Sequence, residues 1–103
     1  MIKTDKSKYN LILNKTSTYY IERSASNSFH LMRKAGKKLA NQIFTNYKKR
    51  KTLIICGIGG NGGDGFIVAQ ELLNKKWDTD VVIIGNKNLI KGDTLKALNQ
   101  LKI

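Results

Sequence analysis

A glycine-rich segment, CGIGGNGGDG at residues 56–65, constrains this chain more than any other feature. Six of its ten residues are glycine, and glycine loses more backbone entropy on folding than any other residue. The apolar run TLIIC leads into the segment, and FIVAQELL follows it. A turn from a parallel strand into a helix directs free amides and the positive end of the helix dipole at a bound ligand. We therefore expect a binding loop here.

The apolar periodicity around this loop predicts an α/β fold. Residues 52–56 and 80–85 are short apolar runs, typical of parallel strands covered on both faces. Residues 65–75, between them, carry apolar side chains at helical spacing. The order strand, helix, strand predicts a βαβ unit. Asp64 is expected to cap the helix, and Trp77 to lie at the edge of the core.

Three further helices are predicted. A helix over residues 14–26 has Asn14, Thr16 or Ser17 as its N-cap. A helix over residues 26–47 presents one apolar stripe, formed by Met32, Ala35, Leu39, Ile43 and Tyr47. A helix over residues 91–103 is predicted, with its cap at Asp93 or Thr94. Its inward-facing residues are Leu95, Leu98 and Leu101.

Composition excludes several classes of protein. The single cysteine, Cys56, rules out an internal disulfide and a multi-cysteine metal site, and the single histidine, His30, rules out a histidine zinc set. Cys56 is expected to act as a small buried hydrophobe, and His30 as a cap or surface residue. No run approaches the ~18 apolar residues of a membrane span, and the polar N-terminus lacks an apolar signal region. A cytoplasmic location is expected.

Positive charge is concentrated in the first half of the chain. The net charge is +12, and 13 of the 19 Lys and Arg residues precede residue 52. The run KKRK at residues 48–51 would suit a nucleic-acid surface. A charge run between a helix and a strand is more often a solvated turn, so nucleic acid and membranes are not the expected partners.

The loop matches one nucleotide-binding motif only in part. Gly57, Gly59 and Gly62 fit G-x-G-x-x-G between a strand and a helix. The acidic residue expected after the second strand is missing, since residues 85–87 are GNK. A P-loop is excluded because no Gly-Lys-Ser/Thr follows. Asn61 offers a neutral oxygen to a hard cation, and Asp64 suits a cation or accepts hydrogen bonds.

Residues 56–73, CGIGGNGGDGFIVAQELL, resemble the hallmark of the NAD(P)H-hydrate epimerase family, the YjeF N-terminal domain. The family loop reads G-x-G-N-N-G-G-D-G. LMRKAG at residues 31–36 is similar to its L-M-E-x-A-G, and LNKTSTYYIERSA at residues 13–25 resembles its opening helix. Gly60, Arg33 and Gln70 depart from the pattern, as does KKWD at residues 75–78.

The resemblance implies a partial Rossmann-like three-layer α/β fold: a βαβ unit with preceding N-terminal helices and a truncated parallel sheet. Residues 1–12 are expected to be disordered, and residues 13–103 to form the N-terminal portion of the family domain. The implied activity interconverts the R and S epimers of hydrated NADH and NADPH. The implied potassium ligand is Asn61, and the implied substrate-binding residues are Gly60, Asn61, Gly62, Gly63 and Asp64.

No catalytic residue is expected within this chain, because in the family the acid/base aspartate lies in a later half of the domain. An incomplete or split epimerase is therefore the first hypothesis, with a complementing C-terminal half or a second copy as partner. The alternative is a non-catalytic remnant that binds a nucleotide or a protein. Valine at Gly62 or Gly63 is expected to abolish nucleotide binding, because it tolerates neither a positive φ nor a close backbone approach.

Overall fold

A computed structural model describes residues 28–102. The helices are α1 (Ser28–Asn46), α2 (Gly60–Asn74) and α3 (Gly92–Gln100), and the strands are β1 (Thr52–Cys56) and β2 (Thr79–Ile83). A 3₁₀ turn spans Lys87–Leu89. The predicted helix over residues 14–26, its candidate caps and the predicted disorder of residues 1–12 lie outside the described residues.

The two strands form an open parallel sheet joined by α2. Their register runs from Thr52 opposite Thr79 to Cys56 opposite Ile83. The prediction of an α/β fold with a βαβ unit is confirmed, and the described part of the chain is a partial Rossmann-like arrangement.

Helix α2 is the centre of the core and packs against both strands, α1 and α3. Its side chains Phe66, Val68 and Leu72 are fully buried, as their spacing predicts. Helix α1 approaches closely because it has a glycine at position 36, where a Cβ would lie 2.5 Å from Cβ of Ile67. The buried Trp77 indole packs against Phe44, with 5.8 Å between the ring centroids.

The two faces of the sheet are covered unequally. Ile54 and Cys56 lie on the face that joins the helical core, together with Val81 and Ile83 of β2. The opposite face carries Ile55, which is 39% exposed. The expectation that both faces are covered is therefore wrong for Ile55 within residues 28–102.

Three helix predictions need correction. Helix α2 begins at Gly60 rather than Gly65. Tyr47 lies just beyond the end of α1 and is 48% exposed, so it does not belong to the buried stripe. On α3 the buried residues are Thr94 and Ala97, whereas Leu95 is 38% exposed, because the helix turns its small residues toward α2.

Among residues 28–102, no helix is both long and apolar enough to cross a membrane.

Candidate functional site

The glycine-rich segment lies at the carboxyl end of β1, but only its first part is a loop. Residues 57–59 connect the strand to α2, whose N-cap is Gly59, and the cap forms no side-chain hydrogen bond. Asp64 is therefore inside the second turn and does not cap the helix, contrary to the sequence prediction. The N-terminal amides of α2 lie at the carboxyl-terminal edge of the sheet. The positive end of the helix dipole favours an anion there.

Gly62 and Gly63 are required by packing. A Cβ on Gly62 would collide with the carbonyl oxygen of Gly57, and one on Gly63 would lie 2.6 Å from Sδ of Met32. Neither has a positive φ; among the glycines of residues 28–102, only Gly85 and Gly92 do. Valine at Gly62 or Gly63, which is expected to abolish nucleotide binding, would therefore act by colliding with neighbouring chain segments. An unusual backbone conformation is not involved.

Helix α3 is tied to the same loop. The hydroxyl of Thr94 donates a hydrogen bond to the carbonyl oxygen of Gly59, at 3.0 Å. The N-cap of α3 is Lys91, which makes no side-chain cap bond, so the prediction of a cap at Asp93 or Thr94 is wrong. The N-termini of α2 and α3 consequently meet at one place. The sequence marked Thr94 only as a local cap, and nothing local indicated a contact 35 residues away.

The end of β2 completes this part of the molecule. Gly85 has a φ of +114°, and a Cβ there would lie 3.1 Å from Cγ2 of Ile58 in the glycine loop. The side chain of Asn86 accepts a hydrogen bond from the amide of Asn88, at 2.9 Å, and so caps the 3₁₀ turn. Three chain turns, after β1, after β2 and before α3, thus converge around residues 57–60.

The predicted site residues divide into two groups by exposure. Gly60 and Asn61, in the first turn of α2, are exposed. Gly62, Gly63 and Asp64 are buried, and Asp64 is only 1% exposed. A ligand at the mouth of the loop can therefore touch Gly60 and Asn61 directly, while the buried group fixes the backbone beneath them.

The described residues provide an incomplete cation site. Asn61 is exposed and offers one side-chain oxygen, whereas hard cations take several oxygen ligands. Residues 28–102 contain no cluster of three or more His, Cys, Asp or Glu side chains that could hold a metal ion. A cation at Asn61 would need further oxygens from the backbone, a ligand or another part of the protein.

Cys56 and His30 take no part in this site. Cys56 is buried at the end of β1, and burial raises the pKa of its thiol from 9.0 to about 12, so it is a small hydrophobe as predicted. His30 is exposed on α1, which agrees with a surface residue.

Comparison with known proteins identifies relatives of the whole described part. The profile of the family described as YjeF-related protein N-terminus matches residues 28–103. An NAD(P)H-hydrate epimerase from Elusimicrobium minutum is 35% identical over 72 residues, which cover 69% of this chain and 33% of the relative. One from Oenococcus oeni is 31% identical over 78 residues, covering 74% of this chain and 37% of the relative.

A longer relative matches a smaller share of its own length. The bifunctional NAD(P)H-hydrate repair enzyme of Methanopyrus kandleri is 38% identical over 63 residues, which are 61% of this chain and 13% of the relative. The chain thus spans well under half the length of these curated relatives. No solved structure matches it significantly.

Proposed function

This chain belongs to the family of YjeF-related protein N-termini, and from that membership we propose that it is the nucleotide-facing portion of an NAD(P)H-hydrate epimerase. The reaction of the complete enzyme would interconvert the R and S epimers of hydrated NADH and NADPH in the cytoplasm. The observation that carries the proposal is the meeting of two helix N-termini at one glycine loop, secured by the Thr94 to Gly59 hydrogen bond of 3.0 Å.

The loop would bind the negatively charged part of the hydrated nucleotide. The first turns of α2 and α3 are in contact through Thr94 and Gly59, and the N-terminal amides of a helix favour an anion such as a diphosphate. Asp93, in the first turn of α3, would oppose that charge but is ion-paired with Lys96. Gly60 and Asn61 would touch the ligand, with Gly62, Gly63 and Asp64 forming the layer beneath. Asn61 would also supply one oxygen to a potassium ion, whose role would be to neutralise charge beside the bound nucleotide.

This chain by itself would not catalyse epimerisation. Moving a proton at the reacting carbon needs an acid and a base within hydrogen-bond reach. Of the described carboxylates near the loop, Asp64 is 1% exposed, and Asp93 forms an ion pair with Lys96 (Oδ1 to Nζ, 4.0 Å). The family resemblance implies an acid/base aspartate in a later half of the domain, and we propose that activity would require that half.

The test is an epimerisation assay with one resolved epimer of hydrated NADPH, in which chromatography follows the other epimer. The chain alone is expected to leave the spontaneous rate unchanged, and addition of a polypeptide carrying the later half is expected to raise it. Acceleration by the chain alone would contradict the proposal of an incomplete enzyme. No acceleration with any complementing half would contradict the split enzyme.

Binding is tested separately by thermal shift with hydrated NADPH in potassium or sodium chloride. We expect hydrated NADPH to raise the Tm of the chain, and by more in potassium chloride than in sodium chloride. In Asn61→Ala we expect this rise to be lost. Asn99→Ala, which removes the same exposed side chain from α3, is the matched control and should keep the shift.

A non-catalytic remnant of the fold is the second candidate. The packing contacts of Gly62 and Gly63 explain two of the six glycines without any ligand. A chain that unfolds cooperatively but gives no epimerisation with any complementing half, with or without a thermal shift on nucleotide binding, would favour this candidate over the first.

A further inference from the structure

An open groove lies at the amino end of the sheet, away from the glycine loop at its carboxyl end. Its volume is about 480 Å³. The groove is formed by the end of α1, the turn before β1 and the turn after α2, and its lining residues are Asn41, Phe44, Tyr47, Lys49, Lys75 and Trp77. It therefore shares no residue with the proposed epimerase site.

Aromatic rings form much of this groove. Phe44 and Trp77 pack against each other with an angle of 59° between the rings, and this pair forms the buried side of the groove. Tyr47 is 48% exposed, and the guanidinium of Arg50 lies 5.5 Å from its ring centroid. The guanidinium occupies one face of the ring, so a planar group would stack on the remaining exposed area.

The rim of the groove is strongly positive. Exposed basic residues come from the two turns that meet there: Lys48, Lys49, Arg50, Lys51, Lys75 and Lys76. The acid within these turns, Asp78, forms an ion pair with Lys51 at 3.9 Å. The basic turn expected from the sequence to be merely solvated is thus placed beside the aromatic groove by the fold.

We propose that this groove binds single-stranded nucleic acid, with a base stacked on Tyr47 and phosphates on Lys49 and Lys75. Positive grooves that carry exposed aromatic rings are the general means of binding single strands, since every base has a face that can stack. An acidic peptide would satisfy the lysines but has no regular planar group for Tyr47. The inference is independent of the proposed epimerase function, because the two sites lie at opposite ends of the strands.

The charge component is tested by fluorescence anisotropy of a labelled oligothymidylate of about twelve nucleotides, long enough for one such site, titrated with the chain at increasing salt. The logarithm of the affinity should fall linearly with that of the salt concentration. Removing both groove lysines, in Lys49→Ala with Lys75→Ala, should reduce the slope by about 1.4. The matched control removes two exposed lysines elsewhere, Lys34→Ala with Lys102→Ala, and should keep the slope.

The stacking component is tested with Tyr47→Ala and Tyr47→Phe. The alanine variant should bind the strand about tenfold more weakly, and the phenylalanine variant should bind it normally, because stacking needs the ring and not the hydroxyl. Thermal melts of both variants check that the fold is retained.

Five results would overturn the proposal. Four of them are no binding by the chain at low salt, an equal loss of slope in the control pair, normal affinity in a folded Tyr47→Ala, and competition by polyglutamate as strong as by unlabelled strand. The last result would assign the groove to acidic polypeptides. Saturation by uridine monophosphate at the affinity of the strand would also overturn it and assign the groove to free nucleotides.

Discussion

At the scale of single residues, the glycines of the segment differ in what they tolerate. A Cβ at Gly62 would overlap the carbonyl oxygen of Gly57, whereas one at Gly59 would meet nothing within 4 Å. Gly59 also has a φ of −93°, which alanine adopts readily. We predict that Gly62→Ala lowers the free energy of unfolding by about 2 kcal/mol, the usual cost of overpacking.

Gly59→Ala is the matched control for that substitution and should be neutral within about 0.5 kcal/mol. Urea denaturation of both variants provides the measurement. Equal unfolding free energies for Gly62→Ala and Gly59→Ala would contradict the packing explanation of Gly62. They would instead favour a role for Gly62 in ligand binding.

Cys56 gives a second prediction at this scale, through pH. Burial raises the pKa of its thiol from 9.0 to about 12, so between these values the unfolded chain loses a proton that the folded chain keeps. The free energy of unfolding should therefore fall as pH rises above 9, by about 1.4 kcal/mol per pH unit from this residue.

Cys56→Ala should remove that component of the pH dependence, and every other residue is common to both proteins. The difference in unfolding free energy between wild type and variant, measured by urea denaturation from pH 8 to 10.5, isolates the thiol. A difference that does not change with pH would show that the thiol is accessible in the folded state.

At the scale of elements, α2 is followed by a residue whose backbone is in the left-handed conformation. The amides of Lys76 and Trp77 bond to the carbonyls of Leu73 and Leu72, both at 3.0 Å. This is the Schellman arrangement, which places a left-handed residue after the C-cap. That residue is Lys76, with a φ of 67°, where glycine would avoid the steric cost.

We predict that Lys76→Gly raises the free energy of unfolding by about 0.5 to 1 kcal/mol, the usual gain from relieving this conformation. The neighbouring Lys75→Gly removes the same charge at a φ of −92° and should give no gain. Thermal and urea unfolding of the two variants decide between them. A gain in both would attribute the effect to charge rather than to backbone conformation.

At the scale of the whole molecule, the partly exposed face of the sheet should make the chain associate. Parallel strands are normally buried on both faces, yet Ile55 of β1 is 39% exposed and the adjoining Ile84 is 45% exposed. We predict self-association that increases with concentration, measured by sedimentation velocity. Ile55→Lys should weaken it at least about tenfold, because a lysine would lose its hydration in such an interface.

Leu89→Lys is the control for that experiment, since Leu89 is 62% exposed but lies in the 3₁₀ turn and not on the sheet. It should associate like the wild type. A chain that stays monomeric throughout, or equal effects of both lysines, would contradict an interface on the sheet. The polypeptide used to complement the epimerase reaction should compete with this association if it covers the same face.

The amino-acid sequence by itself determined the elements whose signal is local. The apolar runs of β1 and β2 and the helical spacing of Phe66, Val68 and Leu72 predicted the βαβ unit. Cys56, at the end of β1, is buried as predicted, and Trp77, predicted at the edge of the core, is 6% exposed. Such residues report their surroundings locally, because a strand covered on both faces is a continuous apolar run and a helix buries every third or fourth residue.

Only the tertiary structure decided where α2 begins and what surrounds its first turn. Glycine-rich sequence disfavours helix, yet GNGGD is helical. Its glycines are needed because α1, α3 and the loop after β1 approach this backbone too closely for larger residues. The contact from Thr94 to Gly59 and the groove between Tyr47, Lys75 and Trp77 also join distant parts of the chain. No local pattern encodes them, since they depend on how separate elements pack against one another.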